Sequence, residues 1–244
     1  MERIEEWSMQ LRKELEKVAE LLQKSHPKYL LGDVGQPELE KKTNTLSDQA
    51  MRIFHKIEKG FRKIVESLPE MFETYKDPSS KDVIQAIGQM IMTATVLVKN
   101  PGPVLLRIAQ GERIQDLLGV TEQVLASMYM AAKYLYDHQQ YEEAASAFCL
   151  LSLLSPSCPS FWQGLGNSEY FLGRYQEALI AYNCATLMDP EEPLPHILSA
   201  KCHIALEQYP AAKLALSLAE STQDKHKPFK EQINRLQEEL RRFL

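Results

Sequence analysis

Valine is missing from half of this chain. From Leu125 to Leu244 there is none, and the other β-branched residues over that span are four Ile and two Thr. Such side chains suit a pleated surface, so their scarcity excludes a β-sheet there. Turn residues are also few. Glycine and proline number 10 and 13 in 244 residues, which favours long helices over many short strands. No CxxC pair exists among Cys149, Cys158, Cys184 and Cys202, which are separated by 9, 26 and 18 residues. They are expected to be reduced, apolar core residues rather than zinc ligands or disulfides. The opening Met1-Glu2-Arg3-Ile4-Glu5-Glu6 holds no apolar core of an export signal. The uncharged stretch Val83 to Val98 has 16 residues, short of the roughly 18–20 that span a bilayer, and includes Gln85, Gln89, Thr93 and Thr95. It reads as a buried helix, and no stable membrane insertion is expected. The net charge of −5, from 28 Lys+Arg and 33 Asp+Glu, gives no general attraction to nucleic acid.

What the chain does have is a repeat. Tyr141, Tyr175 and Tyr209 are each 34 apart, as are Ala144, Ala178 and Ala212, and Pro156 and Pro190, with Asp224 in the third place. The middle unit runs Trp162, Leu165-Gly166, Tyr170, Gly173, Tyr175, Ala178, Tyr182, Ala185 and Pro190. This order resembles the tetratricopeptide repeat, a helical hairpin. Small Gly166, Ala178 and Ala185 let two antiparallel helices approach, Tyr170, Tyr175 and Tyr182 fill the remaining space, and Pro190 ends the second helix. Repeats are expected at 125–158, 159–192 and 193–226. A capping helix at 227–244, opened by Pro228 and striped by Phe229, Ile233, Leu236, Leu240 and Phe243, is expected to cover the last apolar face.

The first hundred residues lack this period. Up to Pro78 they carry 14 basic and 15 acidic residues, against 5 and 11 from 125 to 226, so the acidity belongs to the repeats. About three helices are expected in 1–100. One, at 2–24, has the stripe Ile4, Trp7, Leu11, Leu15, Val18 and Leu22. A second, at 45–68, has Ala50, Ile53, Phe54, Ile57, Phe61, Ile64, Val65 and Leu68; a third lies at 82–98. The basic residues Arg52, Lys56, Lys59 and Lys63 read as a solvated face. Asn100-Pro101-Gly102-Pro103 marks the expected domain boundary, with a linker at 101–124. The fold expected is therefore all-α: a three-repeat solenoid with a capping helix and an N-terminal helical extension.

Catalytic chemistry finds no support. Gly164-Leu165-Gly166 lacks the third glycine and the preceding strand of a dinucleotide fingerprint, and the repeat explains both glycines. There is no phosphate loop and no HExxH, and His196, His203 and Cys202 form no recognisable ligand pattern. No catalytic residue, metal or cofactor is expected, so the chain reads as a binding protein rather than an enzyme. The first helices of such hairpins line a concave surface. Here that lining comprises Tyr129, Lys133, Tyr136, Asp137, Gln163, Asn167, Tyr170, Phe171, Ile197, Lys201 and Ile204. Rings mixed with amides suit an extended peptide. Hairpin packing is an equal reading for Tyr136, Tyr170 and Ile204. Lys133, Asn167 and Lys201 repeat at 34 along the same face.

Met128-Tyr129 through Tyr141-Glu142-Glu143-Ala144, Phe161-Trp162-Gln163-Gly164-Leu165-Gly166, Leu172-Gly173-Arg174-Tyr175 and Ala185-Thr186-Leu187-Met188-Asp189 with Glu192-Pro193-Leu194-Pro195 resemble the SycD/LcrH class of type III secretion chaperones over about 104–240. The resemblance implies a bacterial, cytoplasmic chaperone that holds hydrophobic translocator or effector proteins soluble before secretion. It further implies that an extended, proline-containing client segment lies in the groove at Tyr129, Tyr136, Tyr141, Leu154, Tyr170 and Tyr182. Lys133 departs from that pattern, where an aromatic or apolar residue is expected. Pro103 to Leu118 corresponds to the class's helical segment that contributes to dimerisation, so a homodimer is among the expectations. The alternative reading is a scaffold protein of the secretion apparatus, or a needle-subunit co-chaperone, acting through its N-terminal helices.

Overall fold

The computed structural model describes residues 56, 59–71, 73–74, 85–90, 93, 107, 110–222 and 227–243. The helix expected at 2–24, most of that at 82–98 and the Asn100-Pro101-Gly102-Pro103 boundary lie outside these residues. The chain divides into two compact units, Met1–Ala126 and Ser127–Leu244.

In the first unit residues 59–71 are helical, and Phe61, Ile64, Leu68 and Met71 are buried. Their spacing of three and four places one stripe on one face, as the sequence pattern requires. The helix continues past the expected end at 68, through Pro69, because the buried pair Leu68 and Met71 holds that turn in place. A second helical stretch at 85–90 buries Ile87 and Met90. In the segment expected to be helical over 103–118, the described helix is α1, Ile114–Leu117. Arg113 flanks it and donates to both oxygens of Asp116 at 2.7 and 2.8 Å.

The hairpins follow. They pair α2 (Glu122–Asp137) with α3 (Tyr141–Leu154), α4 (Pro159–Phe171) with α5 (Tyr175–Met188), and α6 (Pro193–Ala205) with α7 (Tyr209–Ser221). Each later element packs on the one before it, from α3 through α7. Pro159 and Pro193 open α4 and α6, where the missing N–H would have had no partner and the ring pre-sets the helical φ.

The turn inside each hairpin has the same construction three times. Gln139, Gly173 and Glu207, 34 apart, sit at φ of 61°, 74° and 59°. In each turn the left-handed residue and its successor send N–H groups back to the last helical turn. Gly173 donates to the Tyr170 carbonyl at 3.0 Å and Arg174 to that of Glu169 at 2.9 Å, and Glu207 and Gln208 repeat this to Ile204 and His203 at 2.9 and 2.8 Å. This is the Schellman arrangement, which satisfies carbonyls that the helix end leaves open.

Close helix approach follows from the absent side chains. A Cβ on Gly164 would stand 2.6 Å from Cδ1 of Phe148, and one on Gly166 the same distance from Cδ1 of Tyr182. Two rings of second helices, Phe148 and Tyr182, therefore each lie over a glycine of α4. At the C-terminus a 3-10 turn, Lys227–Phe229, leads into α8, Lys230–Leu240. Ile233, Leu236 and Leu240 of α8 complete a core with Ile197, Ala200, Ala212, Leu216 and Ala219. The described residues are all-helical, and no helix among them is long and apolar enough to cross a membrane.

Candidate functional site

First helices of successive hairpins lie side by side, and between α2 and α4 they leave a cleft of about 210 Å³. Tyr129, Lys133, Tyr136 and Asp137 reach it from α2, and Ser160, Gln163, Gly164 and Asn167 from α4, each set at three- and four-residue spacing on one helix face. Phe148 of α3 enters through the space that Gly164 leaves open. Its ring meets Tyr129 edge-on at 6.0 Å, and Tyr129 also lies 5.7 Å from Phe161. The walls at this end are therefore aromatic and rigidly backed.

The rings continue along α2 and α4. Tyr136 meets Tyr141 edge-on at 5.5 Å, and Phe171 stacks on Tyr141 at 4.8 Å while its edge contacts Tyr136 and Tyr170. Tyr170 in turn meets Tyr175 at 5.4 Å. Phe171 remains 55% exposed, a large apolar ring offered to solvent in the middle of this cluster.

The polar groups of the cleft are set by neighbours. Lys133 Nζ lies 2.5 Å from Asp137 Oδ2, one helical turn on. The Tyr182 hydroxyl donates to Asn167 Oδ1 at 2.8 Å. Burial raises the Tyr182 phenol far above its ordinary value, and burial first, then neighbouring negative charge, raises those of Tyr136 and Tyr170. All three hydroxyls thus stay protonated at neutral pH, and that of Tyr182 is spent on Asn167.

Among the residues expected in the groove, Tyr129, Lys133, Tyr136 and Asn167 line the cleft. Tyr141 and Tyr170 belong to the adjoining ring cluster and are half-buried. Leu154, Tyr182 and Ile197 are 1%, 0% and 0% exposed, so these three pack inside the hairpins and offer no side-chain surface to a ligand. The two lysines differ: Lys201 of α6 is half-buried and lies outside the lining of this cleft. Phe148, Ser160 and Gly164 were not expected there. The signal for Phe148 was present as the first-hairpin counterpart of Tyr182, 34 residues earlier, but the matching glycine is two residues before Gly166 rather than in register.

His203 and Trp162 serve local geometry. His203 Nδ1 lies 2.8 Å from Gln208 Oε1, and Trp162 Nε1 donates to the Pro156 carbonyl at 2.7 Å. Among the described residues no group of three or more His, Cys, Asp or Glu is placed to hold a metal ion.

No protein-family model matches the chain. A relative does: low calcium response locus protein H of Yersinia pestis is 28% identical over 126 residues, 52% of this chain and 75% of that protein. The repeat region resembles the LcrH class. One solved structure shares the fold. A type III secretion complex from Aeromonas hydrophila superposes with a TM-score of 0.53 at 20% identity, covering 57% of this chain and 95% of that one. PcrH, solved with the chaperone binding region of PopD, is 26% identical with a TM-score of 0.48, covering 50% of this chain and 94% of PcrH. The likeness to the LcrH class thus covers about half of the chain.

Proposed function

We propose that this protein is a type III secretion chaperone of the bacterial cytoplasm, a binding protein without catalytic activity. It holds an extended apolar segment of a translocator protein in the groove of its helical hairpins. The observation that carries this is the cleft between α2 and α4, where the rings of Tyr129, Phe148 and Tyr136 flank the polar groups of Lys133, Gln163 and Asn167. Rings exclude water from apolar side chains, and the amides meet the main-chain polar groups that an extended segment leaves open. The likeness to low calcium response locus protein H supports the same assignment.

The chemistry required is competition alone. A client that would self-associate or enter a membrane has its exposed segment occupied, and release needs only a competing surface. The groove lining in this proposal is Tyr129, Lys133, Tyr136 and Asn167, extended by Tyr141, Tyr170 and Phe171, with Lys201 further along the inner face.

The test is calorimetric titration of the full chain with overlapping synthetic peptides from the chaperone binding region of PopD and from the translocator proteins of its own host. Saturable binding of at least one peptide is expected. Tyr129→Ala combined with Phe171→Ala should remove it while far-UV circular dichroism stays unchanged. Undiminished binding by that variant would show that the segment lies elsewhere.

A further inference from the structure

The tyrosine that opens the second helix of each hairpin makes ring contacts that repeat with one omission. Tyr141 meets Tyr136 edge-on at 5.5 Å and 67°, and Phe171, from the end of α4, lies flat on it at 4.8 Å and 10°. Tyr209 is covered in the same way by Phe243, just beyond α8, at 4.6 Å and 4°. Tyr175 stands between these two in the repeat and meets Tyr170 at 5.4 Å and 63°, so its edge contact nearly coincides with that of Tyr141. Among the described residues no ring lies flat on Tyr175. The residue 34 after Phe171 is Ala205, the exposed last residue of α6.

Tyrosines five residues apart, joined across a left-handed turn, hold the second ring at the same angle in both hairpins. The face that Tyr141 gives to Phe171 is thus offered by Tyr175 to a methyl group, which has no ring to stack. The place is continuous with the groove. Tyr136 lines the cleft, Phe171 touches Tyr136, Tyr141 and Tyr170, and Tyr170 touches Tyr175. A segment that leaves the cleft along these rings meets Tyr175 next.

The protein itself shows which group fits such a face, because a phenyl ring covers it twice. Parallel offset rings gain attraction beyond the apolar area that they bury. Phe171 and Phe243 remain 55% and 54% exposed, so a covering ring is held by one face and keeps much of its other surface in water.

We infer that the captured segment lays an aromatic side chain flat on Tyr175, as Phe171 and Phe243 lie on Tyr141 and Tyr209, and that Ala205 keeps this subsite open. This rests on the groove reading above and deepens it by naming a side-chain class at one place. The groove then selects for an aromatic residue at a single register of an otherwise aliphatic segment.

The experiment takes whichever PopD-region or host translocator peptide binds the full-length protein and places phenylalanine, cyclohexylalanine or lysine at each position in turn, with affinity read by calorimetry. Cyclohexylalanine is close to phenylalanine in volume but has no π face. One position is expected at which phenylalanine binds about threefold to tenfold tighter than cyclohexylalanine. In Ala205→Phe, where the protein covers Tyr175 with its own ring, that preference should disappear while the other positions rank as before. Tyr175→Leu, which keeps apolar volume without a ring face, should abolish it too and serves if Ala205→Phe does not fold. Thermal melts without peptide verify the fold of each variant.

No position favouring phenylalanine over cyclohexylalanine would overturn the inference. So would a preference that survives in the folded variants, since the peptide ring would then lie elsewhere. Lysine binding tighter than phenylalanine at the sensitive position would overturn it as well, the subsite being one for a cation. If no peptide binds the unaltered chain, the groove reading itself fails and the inference falls with it. Peptide binding without any phenylalanine preference defeats only the inference.

Discussion

Arg174 Nη2 lies 2.6 Å from Glu142 Oε2, 32 residues earlier, and joins the second helix of one hairpin to the turn that opens the next one's second helix. The same guanidinium reaches back to Glu169 Oε2 at 3.4 Å. The two carboxylates differ in setting: the Glu142 side chain is 40% exposed and that of Glu169 is 1%.

That difference predicts unequal losses. Glu142→Gln removes an exposed pairing and should cost about 0.5 kcal/mol or less, shrinking further in salt. Arg174→Ala withdraws a counter-charge from a buried carboxylate and should cost about 1–3 kcal/mol. Urea unfolding of both variants checks this, and equal midpoints for the two would refute the ranking.

The hairpin turns make a prediction of opposite sign. Gln139 and Glu207 hold left-handed φ of 61° and 59°, which a side chain adopts at a cost and glycine does not. Gln139→Gly and Glu207→Gly should each stabilise the fold by about 0.5–1 kcal/mol, and Gly173→Ala, at φ 74°, should destabilise it by about 1 kcal/mol. Thermal melts of the three variants test the signs directly.

Close packing predicts the behaviour of two other glycines. Gly164→Ala and Gly166→Ala each drive a methyl to 2.6 Å from an aromatic carbon, Cδ1 of the buried Phe148 or Tyr182. A loss of about 1–3 kcal/mol is expected for each. Thermal melts of both variants check this, and unchanged midpoints would refute it.

Alkaline pH should expose the buried acids. Burial pushes the Cys202 thiol from its ordinary value of 9.0 up to about 12 and also raises the Tyr182 phenol. Below about pH 9 both thiol states of the chain are neutral and the group contributes no pH dependence. Between about 9 and 12 only the unfolded chain releases the proton, so stability falls as pH rises. Cys202→Ala should flatten the decline between pH 9 and 10.5 in denaturant melts, after allowing for its own cavity. An unaltered slope would show that the thiol is not desolvated. Below pH 9 Cys202 should also resist alkylation until the chain unfolds, whereas half-buried Cys158 reacts earlier.

Much of the architecture could be read from residue types alone. A period of 34, with small residues and tyrosines at constant offsets, requires the same helical hairpin three times, because local packing across a hairpin depends on residues a few turns apart. Missing valine removed the sheet. Pro159 and Pro193 marked two helix starts for local backbone reasons. The left-handed turns at Gln139 and Glu207 were hidden, since neither residue type advertises positive φ; only Gly173 did.

The site was legible in part. Tyr129, Lys133, Tyr136 and Asn167 follow from helix register, which decides which face of a helix looks inward. What register could not decide is how deep a side chain sinks when hairpins stack. Leu154, Tyr182 and Ile197 share the groove's sequence signals yet are enclosed, because the next helix closes over them. The Phe148 ring over Gly164, the Arg174–Glu142 bridge and the Tyr182 hydroxyl on Asn167 each join residues 15 to 32 apart on different helices. The amino-acid sequence by itself determined the repeating hairpin and the face of each helix that turns inward. The approach and rotation of one helix against the next, set by tertiary packing, decided which of those inward residues became core and which remained to bind.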